Sequence, residues 1–310
     1  MLEQEYRISR EDLAHWCAIP SQALDRHPKS KVSLVIQPEK KQLEDAICKE
    51  LFQELVHNNQ AGRPTRWILP CHRGMFDPLI RQINREKVSM EGVHIFHMDD
   101  FLDWQGRPYP IRNTFTSCKG IFLADFYAKL DPALAVPPEQ RHFPDYRDPD
   151  AMDRAVEAVQ GVDTLVGGIG CKGMVAFCEA PRSPYHRVTL QEYADSKTRI
   201  VSVHGDTIVA YAEREFGGCY DAVPPMAITI GMKSMLQAKR ALFLVATGAW
   251  KQTLIRVAMF SPATTEYPVT LLTNHISNCT IYLDPVTADH PLSHDLGQSA
   301  LADLSSERAN

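Results

Sequence analysis

Short, almost entirely apolar segments alternate along the chain with longer segments whose apolar residues recur at helical spacing. Segment 39–58, for example, places Leu43, Ile47, Leu51 and Leu55 on one face of a helix. The other segments with helical spacing are 78–83, 120–130, 206–216, 232–240 and 249–259. The strand-like segments are 32–37, 67–70, 93–98, 162–170, 198–203, 226–231, 241–248 and 276–284.

Apolar strands that alternate with helices are typical of a parallel sheet covered on both faces. We therefore predict the α/β fold class, as a three-layer α/β/α sandwich with a mainly parallel, Rossmann-like sheet. Apolar residues are spread evenly, which favours one large domain. We place it at 32–284, after an N-terminal extension at 1–31 that packs on the body and before a polar C-terminal tail at 285–310.

Composition restricts the classes of partner. The 310 residues carry a formal net charge of -5, which disfavours nucleic acid, because proteins that bind it usually present a basic face. No apolar stretch could span a membrane, and the first residues have no apolar run of the signal-peptide kind. The eight cysteines lack C-x-x-C spacing, which favours reduced thiols over a zinc site. We expect a soluble, cytoplasmic protein.

In parallel sheets, ligands bind beyond the carboxyl ends of the strands, so residues that follow strands are candidates for a site. Asp99 and Asp100 come directly after the strand-like segment 93–98. A carboxylate there could cap the following turn or helix. It could equally act as a general base that moves a proton between adjacent carbons of a sugar.

Two further segments follow strands. The sequence GGIGCKGMVAFCEAP at 167–181 brings glycines to a strand end, where backbone can approach a ligand, but it matches neither a dinucleotide fingerprint nor a P-loop. In ATGAWKQ, Lys251 lies in the first helical turn, where a cation opposes the helix dipole. A bound anion such as phosphate would explain it, and an ordinary surface lysine is the alternative. Arg214 could be a plain cation at a helix C-terminus.

The motifs occur in the order MDD, GGIG-x-x-G-x-x-A-F-x-E-x-P, TRI, a DT helix and TGAWK. In this order they resemble the glucosamine-6-phosphate deaminases, members of a wider isomerase/deaminase group that includes the 6-phosphogluconolactonases. The resemblance covers about 32–284. It implies that Asp99 is the enolising base and that Glu179 supports a ring-opening histidine. It also places Asp100, Gly168 and Gly170 among the substrate-binding positions.

The resemblance further implies a phosphate site. Lys251 falls on a phosphate-binding lysine of the family, and Arg214 on a phosphate-binding arginine. After Pro70, the family's Thr-Gly-Gly-Thr phosphate loop is replaced by a segment containing Arg73 and Gly74. Arg73 could bind phosphate through its side chain.

The departures from the family pattern lie in the GGIG loop. Lys172 replaces the family's loop aspartate and is expected to hold a substrate anion. Met174 stands where the family has its ring-opening histidine, and methionine cannot transfer a proton. Cys178 replaces an asparagine.

These features leave three functions open. The favoured one is an isomerase/deaminase of carbohydrate metabolism that acts on an amino-sugar or other sugar phosphate, with ring opening spontaneous or carried out by another group such as His72. The alternative is a catalytically impaired sugar-phosphate-binding protein, a pseudoenzyme or regulator, because of Met174. A lactonase-like hydrolase ranks last, since it would need a histidine in the GGIG loop. The resemblance implies no metal or organic cofactor, and the family's oligomers make self-association an expectation.

Overall fold

The computed structural model describes residues 6–294. The strands in this range are β1 (Ser33–Ile36), β2 (Thr65–Leu69), β3 (Val93–His97), β4 (Asp99–Leu102), β5 (Arg141–His142), β6 (Val162–Gly167), β7 (Arg199–Ser202), β8 (Met226–Thr229), β9 (Ala238–Val245) and β10 (Asn278–Leu283). The α-helices are α1 (Arg10–Cys17), α2 (Ser21–Leu24), α3 (Lys40–Gln60), α4 (Asp77–Glu86), α5 (Cys118–Asp125), α6 (Asp150–Ala158), α7 (Leu190–Ala194), α8 (Gly205–Glu215), α9 (Met232–Met235), α10 (Gln252–Phe260), α11 (Val269–His275) and α12 (Pro285–Ala288).

The main sheet has the strand order β1-β10-β9-β6-β2-β3-β5, and neighbouring strands in it are parallel. Alternate residues of each strand point to opposite faces, so that Ile68 packs with α6, α10 and α11, whereas Trp67 and Leu69 pack with α3, α4 and α5. The predicted α/β sandwich with a mainly parallel sheet is confirmed.

The strands predicted near 198–203 and 226–231 do not enter the main sheet. They form a three-stranded antiparallel sheet in the order β4-β8-β7. The chain divides between the two sheets at Met98, whose N–H donates to Leu69 O in the main sheet and whose carbonyl accepts from Ile230 N–H. Asp99 is therefore the first residue of the second sheet.

The helix predicted at 232–240 ends at Met235, and residues from Ala238 onward belong to β9. Lys239 and Arg240 gave this segment the polarity of a helix surface. In the structure Lys239 pairs with Asp163 at 2.9 Å and Arg240 with Glu50 at 2.7 Å. The two cations can therefore stand at the beginning of a central strand, because carboxylates neutralise them.

Both predicted terminal segments contain residues that pack on the domain. Trp16, Ile19 and Leu24 are buried in the core cluster that includes α10. At the other end, Thr287 is fully buried and its hydroxyl accepts the Gly248 N–H at 2.9 Å. The domain boundaries at 31 and 284 stay predictions, and their outer parts, 1–5 and 295–310, lie outside the described residues. Within 6–294, no helix has the length and apolar character needed to cross a bilayer.

Candidate functional site

The carboxyl ends of the strands hold Asp99, the predicted base. Its Oδ1 lies 3.6 Å from the Cys118 thiol, at the beginning of α5. Burial, and then the neighbouring charge of Asp100, raises the pKa of Asp99 to about 7. A carboxyl group with this pKa exchanges its proton near neutral pH, which is what a general base requires.

Asp100 holds the N-terminus of α5. Its carboxylate accepts the backbone N–H groups of Cys118 at 2.7 Å, Lys119 at 3.3 Å and Phe101 at 2.9 Å. Burial raises its pKa to about 6, although these hydrogen bonds act in the opposite direction. The side chain thus caps a helix, the alternative that the sequence left open for this pair of carboxylates.

The GGIG loop follows β6 and folds back on itself. Gly170 N–H donates to Met174 O at 2.7 Å, and the turn between them has left-handed backbone at Lys172 (φ 47°) and Gly173 (φ 75°). A Cβ at Gly173 would lie 3.1 Å from the backbone of Tyr267, so glycine serves both the turn and the close packing. Lys172 is exposed at the tip of this turn, and Gly168 begins the loop.

Met174 does not face an open site. It is 7% exposed and packs in a small cluster with Phe101, Phe177 and Val203. Tyr211 of α8 packs against the same cluster, with its ring centroid 5.5 Å from that of Phe101. The loop position of the family's histidine is therefore occupied by an apolar side chain that forms part of the core.

Glu179 is held at the end of this loop. Its carboxylate accepts the His204 backbone N–H at 3.0 Å and the Thr207 hydroxyl, both from the first turn of α8. The imidazole Nδ1 of His204 lies 3.6 Å from Glu179 Oε2. His204 is not among the site residues predicted from the sequence, although its position directly after the strand-like segment 198–203 is a usable signal.

One group of side chains in the described range 6–294 has the spacing of metal ligands. Ligand atoms of Glu179, His204 and Asp206 lie within 4.8 Å of one another. However, the Arg182 guanidinium forms two hydrogen bonds with the Asp206 carboxylate, at 2.6 and 3.1 Å. A metal cation would have to displace this arginine, so the arrangement fits a network of hydrogen bonds and charges better than a metal centre.

The two predicted phosphate ligands Arg214 and Lys251 lie together. Both cations contact the indole of Trp250, with the Arg214 guanidinium carbon 4.0 Å and Lys251 Nζ 4.5 Å from the ring centroid. Lys251 is 7% exposed, and burial, aided by Arg214, lowers its pKa to about 8. Among the described residues neither cation forms an ion pair with a carboxylate, an arrangement that a bound anion would stabilise.

Arg73 and Gly74 lie in the segment between β2 and α4. Gly74 has left-handed backbone (φ 68°), and the Arg73 guanidinium contacts Thr114 O and lies 4.0 Å from an Asp125 oxygen. Within residues 6–294 no hydrogen bond or ion pair joins Arg73 or Gly74 to Lys251 or Arg214, so their share in one phosphate site stays a prediction. The neighbouring His72 Nε2 lies 3.0 Å from Lys40 Nζ, and burial lowers the pKa of this histidine.

The chain is similar in sequence to glucosamine-6-phosphate deaminases. No family model matches the chain. A glucosamine-6-phosphate deaminase of Caenorhabditis elegans is 30% identical over 184 residues, which are 57% of this chain and 61% of that protein. Glucosamine-6-phosphate deaminase 1 of Mus musculus is 30% identical over 57% of this chain and 56% of its own length. The alignment thus spans less than two thirds of these curated relatives.

Solved structures show the same fold over more of the chain. A monomeric glucosamine-6-phosphate deaminase covers 82% of this chain and 98% of its own, with a TM-score of 0.65 and 20% identity. A 6-phosphogluconolactonase from Trypanosoma cruzi covers 84% of this chain and 97% of its own, with a TM-score of 0.60 and 14% identity. The chain is therefore a divergent relative of the glucosamine-6-phosphate deaminases, with the α/β fold that those proteins share with the 6-phosphogluconolactonases.

Proposed function

We propose that the chain is an enzyme that isomerises an amino-sugar or other sugar phosphate, from aldose to ketose, and releases ammonia when the substrate carries an amino group at C2. The observation that carries the proposal is the position and the pKa of Asp99. Its carboxyl group follows the carboxyl end of β3 in the main sheet and has a pKa raised to about 7. The named activity of the curated relatives, glucosamine-6-phosphate deaminase, supports the same class of reaction.

In the proposed reaction, Asp99 removes the proton from C2 of the open-chain sugar and returns it to C1. The electron pair of the broken C–H bond forms the C1=C2 double bond of the enol, and the carbonyl oxygen at C1 takes up a proton. The amino or hydroxyl group at C2 loses one when C1 is protonated. With an amino group at C2, the product of proton return at C1 is a ketimine, and water replaces its nitrogen to give the ketose and ammonia. The reaction consumes one water and no oxidant or reductant.

Lys251, which follows β9, and Arg214 of α8 suit the phosphate end of such a substrate. Lys251 and Arg214 share the Trp250 ring and have no carboxylate partner among the described residues. A phosphate dianion would be held by two charge-assisted contacts there. We propose Gly168, Gly170 and Lys172 as the loop that covers the sugar, with Arg73 and Gly74 as further candidates for phosphate contacts.

A second candidate function is a sugar-phosphate-binding protein without turnover. The observation in its favour is Met174, which packs with Phe101 and Phe177 where the family has a proton-transfer group. Such a protein would keep the phosphate contacts of Lys251 and lose the chemistry.

The test is an assay of ammonia and ketose formation with glucosamine 6-phosphate, and with galactosamine 6-phosphate in parallel. We expect turnover by the wild-type protein. Asp99→Asn should lower kcat by at least about 10²-fold, because an amide cannot accept the C2 proton. The exposed Asp195→Asn serves as the matched control and should keep full activity.

Thermal stabilisation by the same sugars separates the two candidate functions. Stabilisation without turnover in the wild type would favour the binding protein. Turnover that survives Asp99→Asn would remove Asp99 from the mechanism, and neither turnover nor stabilisation would contradict both candidates.

A further inference from the structure

An imidazole lies beside the carboxylate that closes the GGIG loop. His204 precedes α8, and its extended backbone (φ -70°, ψ 152°) lets its N–H reach Glu179 Oε2 at 3.0 Å. His204 therefore orients the Glu179 carboxylate through its backbone N–H, and the His204 ring lies beside the same carboxylate. The distance of 3.6 Å between Nδ1 and Oε2 is longer than a hydrogen bond and is that of an ion pair when the imidazole is protonated.

The two side chains of this pair differ in exposure. The Glu179 side chain is 8% exposed, whereas that of His204 is 26% exposed. Nδ1 faces the buried carboxylate, and in the described part of the chain no protein atom is hydrogen-bonded to Nε2. The outer nitrogen is thus free to contact a ligand, while the inner nitrogen faces Glu179.

The neighbours of this pair favour a role in proton transfer. Glu179 is fixed on its second oxygen by the Thr207 hydroxyl, one turn further along α8. Asp206, which also faces the pair, is neutralised by Arg182 at 2.6 Å. Glu179 is therefore the carboxylate without an arginine partner beside His204, and it would stabilise the imidazolium that forms in a proton transfer.

Helix α8 connects this pair to the predicted base. His204 precedes its first turn, and Tyr211, two turns later, packs on Phe101, two residues after Asp99. Seven residues of helix extend about 10 Å. Burial, and then the nearby charge of Asp99, raises the pKa of Tyr211, so α8 adjoins both proton-transfer groups.

We propose that His204, oriented by Glu179, opens the sugar ring in place of a histidine at position 174. This proposal rests on the proposed isomerase function. In the reaction, the C1–O5 bond breaks, Nε2 gives a proton to the ring oxygen, and the anomeric hydroxyl returns a proton to the imidazole as the aldehyde forms. No proton, electron or co-reactant is gained or lost in the step.

The experiment compares a substrate that must be opened with one that need not be. The first is glucosamine 6-phosphate, and the second is its 4,5-dideoxy analogue, which lacks both hydroxyls that could close a five- or six-membered ring. Three variants are measured against the wild type: His204→Gln, His72→Gln as the competing histidine, and His275→Gln as the exposed control on the last turn of α11.

We expect His204→Gln to lower kcat on glucosamine 6-phosphate by about 10²-fold, the usual contribution of one acid–base group. Its kcat on the 4,5-dideoxy analogue should stay within about twofold of the wild type. This second value also shows that the variant is folded and that Asp99 still acts. A merely structural role of His204 would reduce both rates together.

Three results would overturn the proposal. They are an unchanged rate of His204→Gln on the ring-closed substrate, an equal loss on both substrates, and a ring-specific loss in His72→Gln instead. A wild-type protein that is inactive on both substrates would contradict the isomerase function itself, and the role of His204 with it.

Discussion

The pKa of one residue, Asp99, makes it the candidate base of the proposed reaction. An aspartate in water, with its ordinary value of 3.8, would be a weak base towards a sugar C–H group. Burial beside Asp100 raises the pKa to about 7, because both the loss of solvent and the neighbouring charge disfavour the ionised form. The same environment makes the ionised carboxylate costly for the folded state.

This cost predicts a pH-dependent stability. The pKa of Asp99 is higher in the folded chain than in the unfolded chain, so protonated Asp99 favours folding below pH 3.8 and this contribution is lost as the pH rises through about 7. The asparagine of Asp99→Asn cannot ionise, so this variant should keep the stability of the uncharged form at every pH. We expect this variant to be more stable than the wild type by about 4 kcal/mol at pH 8 and to lose more than half of this advantage at pH 5.

Urea unfolding at the two pH values measures the difference. Asp195→Asn, at an exposed position, is the control and should match the wild type at both. A variant Asp99→Asn that is less stable than the wild type at pH 8 would show that the ionised carboxylate is stabilised by its surroundings, which contradicts the pKa of about 7.

At the scale of the residue, the sequence supplies candidates for the site. Asp99, Glu179 and Lys251 are predicted through their positions after strands and through the family motifs, and their roles stay predictions. The sequence did not predict that Met174 belongs to a packed cluster, nor that His204 stands beside Glu179. Both depend on contacts between the GGIG loop and α8, which are distant along the chain.

At the scale of the element, the beginning of helix α5 is joined to Asp100 of β4 by hydrogen bonds. Asp100 accepts the N–H groups of Cys118 and Lys119, and the Ser117 hydroxyl accepts that of Gly120. Several of the N–H groups that a helix leaves unpaired in its first turn are thereby satisfied. The cap also places the Cys118 thiol against Asp99, so the position of the helix and the environment of the base are linked.

Removal of this cap should therefore cost stability. We expect Asp100→Ala to lower the free energy of unfolding by about 1–2 kcal/mol, because the N–H groups at the beginning of α5 lose their acceptor. Asp100→Asn retains one acceptor oxygen and should lose less. Thermal unfolding of the two variants gives the comparison, and equal stability of Asp100→Ala and the wild type would show that water replaces the carboxylate without cost.

At the scale of the whole molecule, one buried side chain connects the two ends of the described range. Arg256 of α10 is fully buried and donates to the carbonyls of Ile19 at 3.0 Å, Asp289 at 3.2 Å and Gln252 at 3.1 Å. It therefore joins the segment after α1 to the segment after α12. Both segments belong to the parts that the sequence suggested as an extension and a tail.

Arg256→Met should weaken this connection. The variant fills much of the same volume but leaves buried carbonyls without a donor, at a cost of about 1–3 kcal/mol. We expect a lower Tm and faster proteolytic cleavage within 18–31. Arg85→Met, at a largely exposed position of α4, is the matched control and should change neither. An unchanged cleavage rate in Arg256→Met would show that the segment is held by the packing of Trp16 and Leu24 alone.

The cytoplasmic location and the self-association expected from the sequence stay predictions, as do the domain boundaries at 31 and 284. A sedimentation measurement on the full chain would give the oligomeric state directly.

The sequence by itself determined the α/β class, most strand positions and the chemical groups at the strand ends, because these follow from local periodicity and from side chains adjacent to strands. Only the tertiary structure decided that β4, β7 and β8 leave the main sheet, that 238–240 is a strand, and that His204 rather than residue 174 meets Glu179. These outcomes depend on pairings between segments far apart in the chain, such as Lys239 with Asp163, which local patterns do not contain.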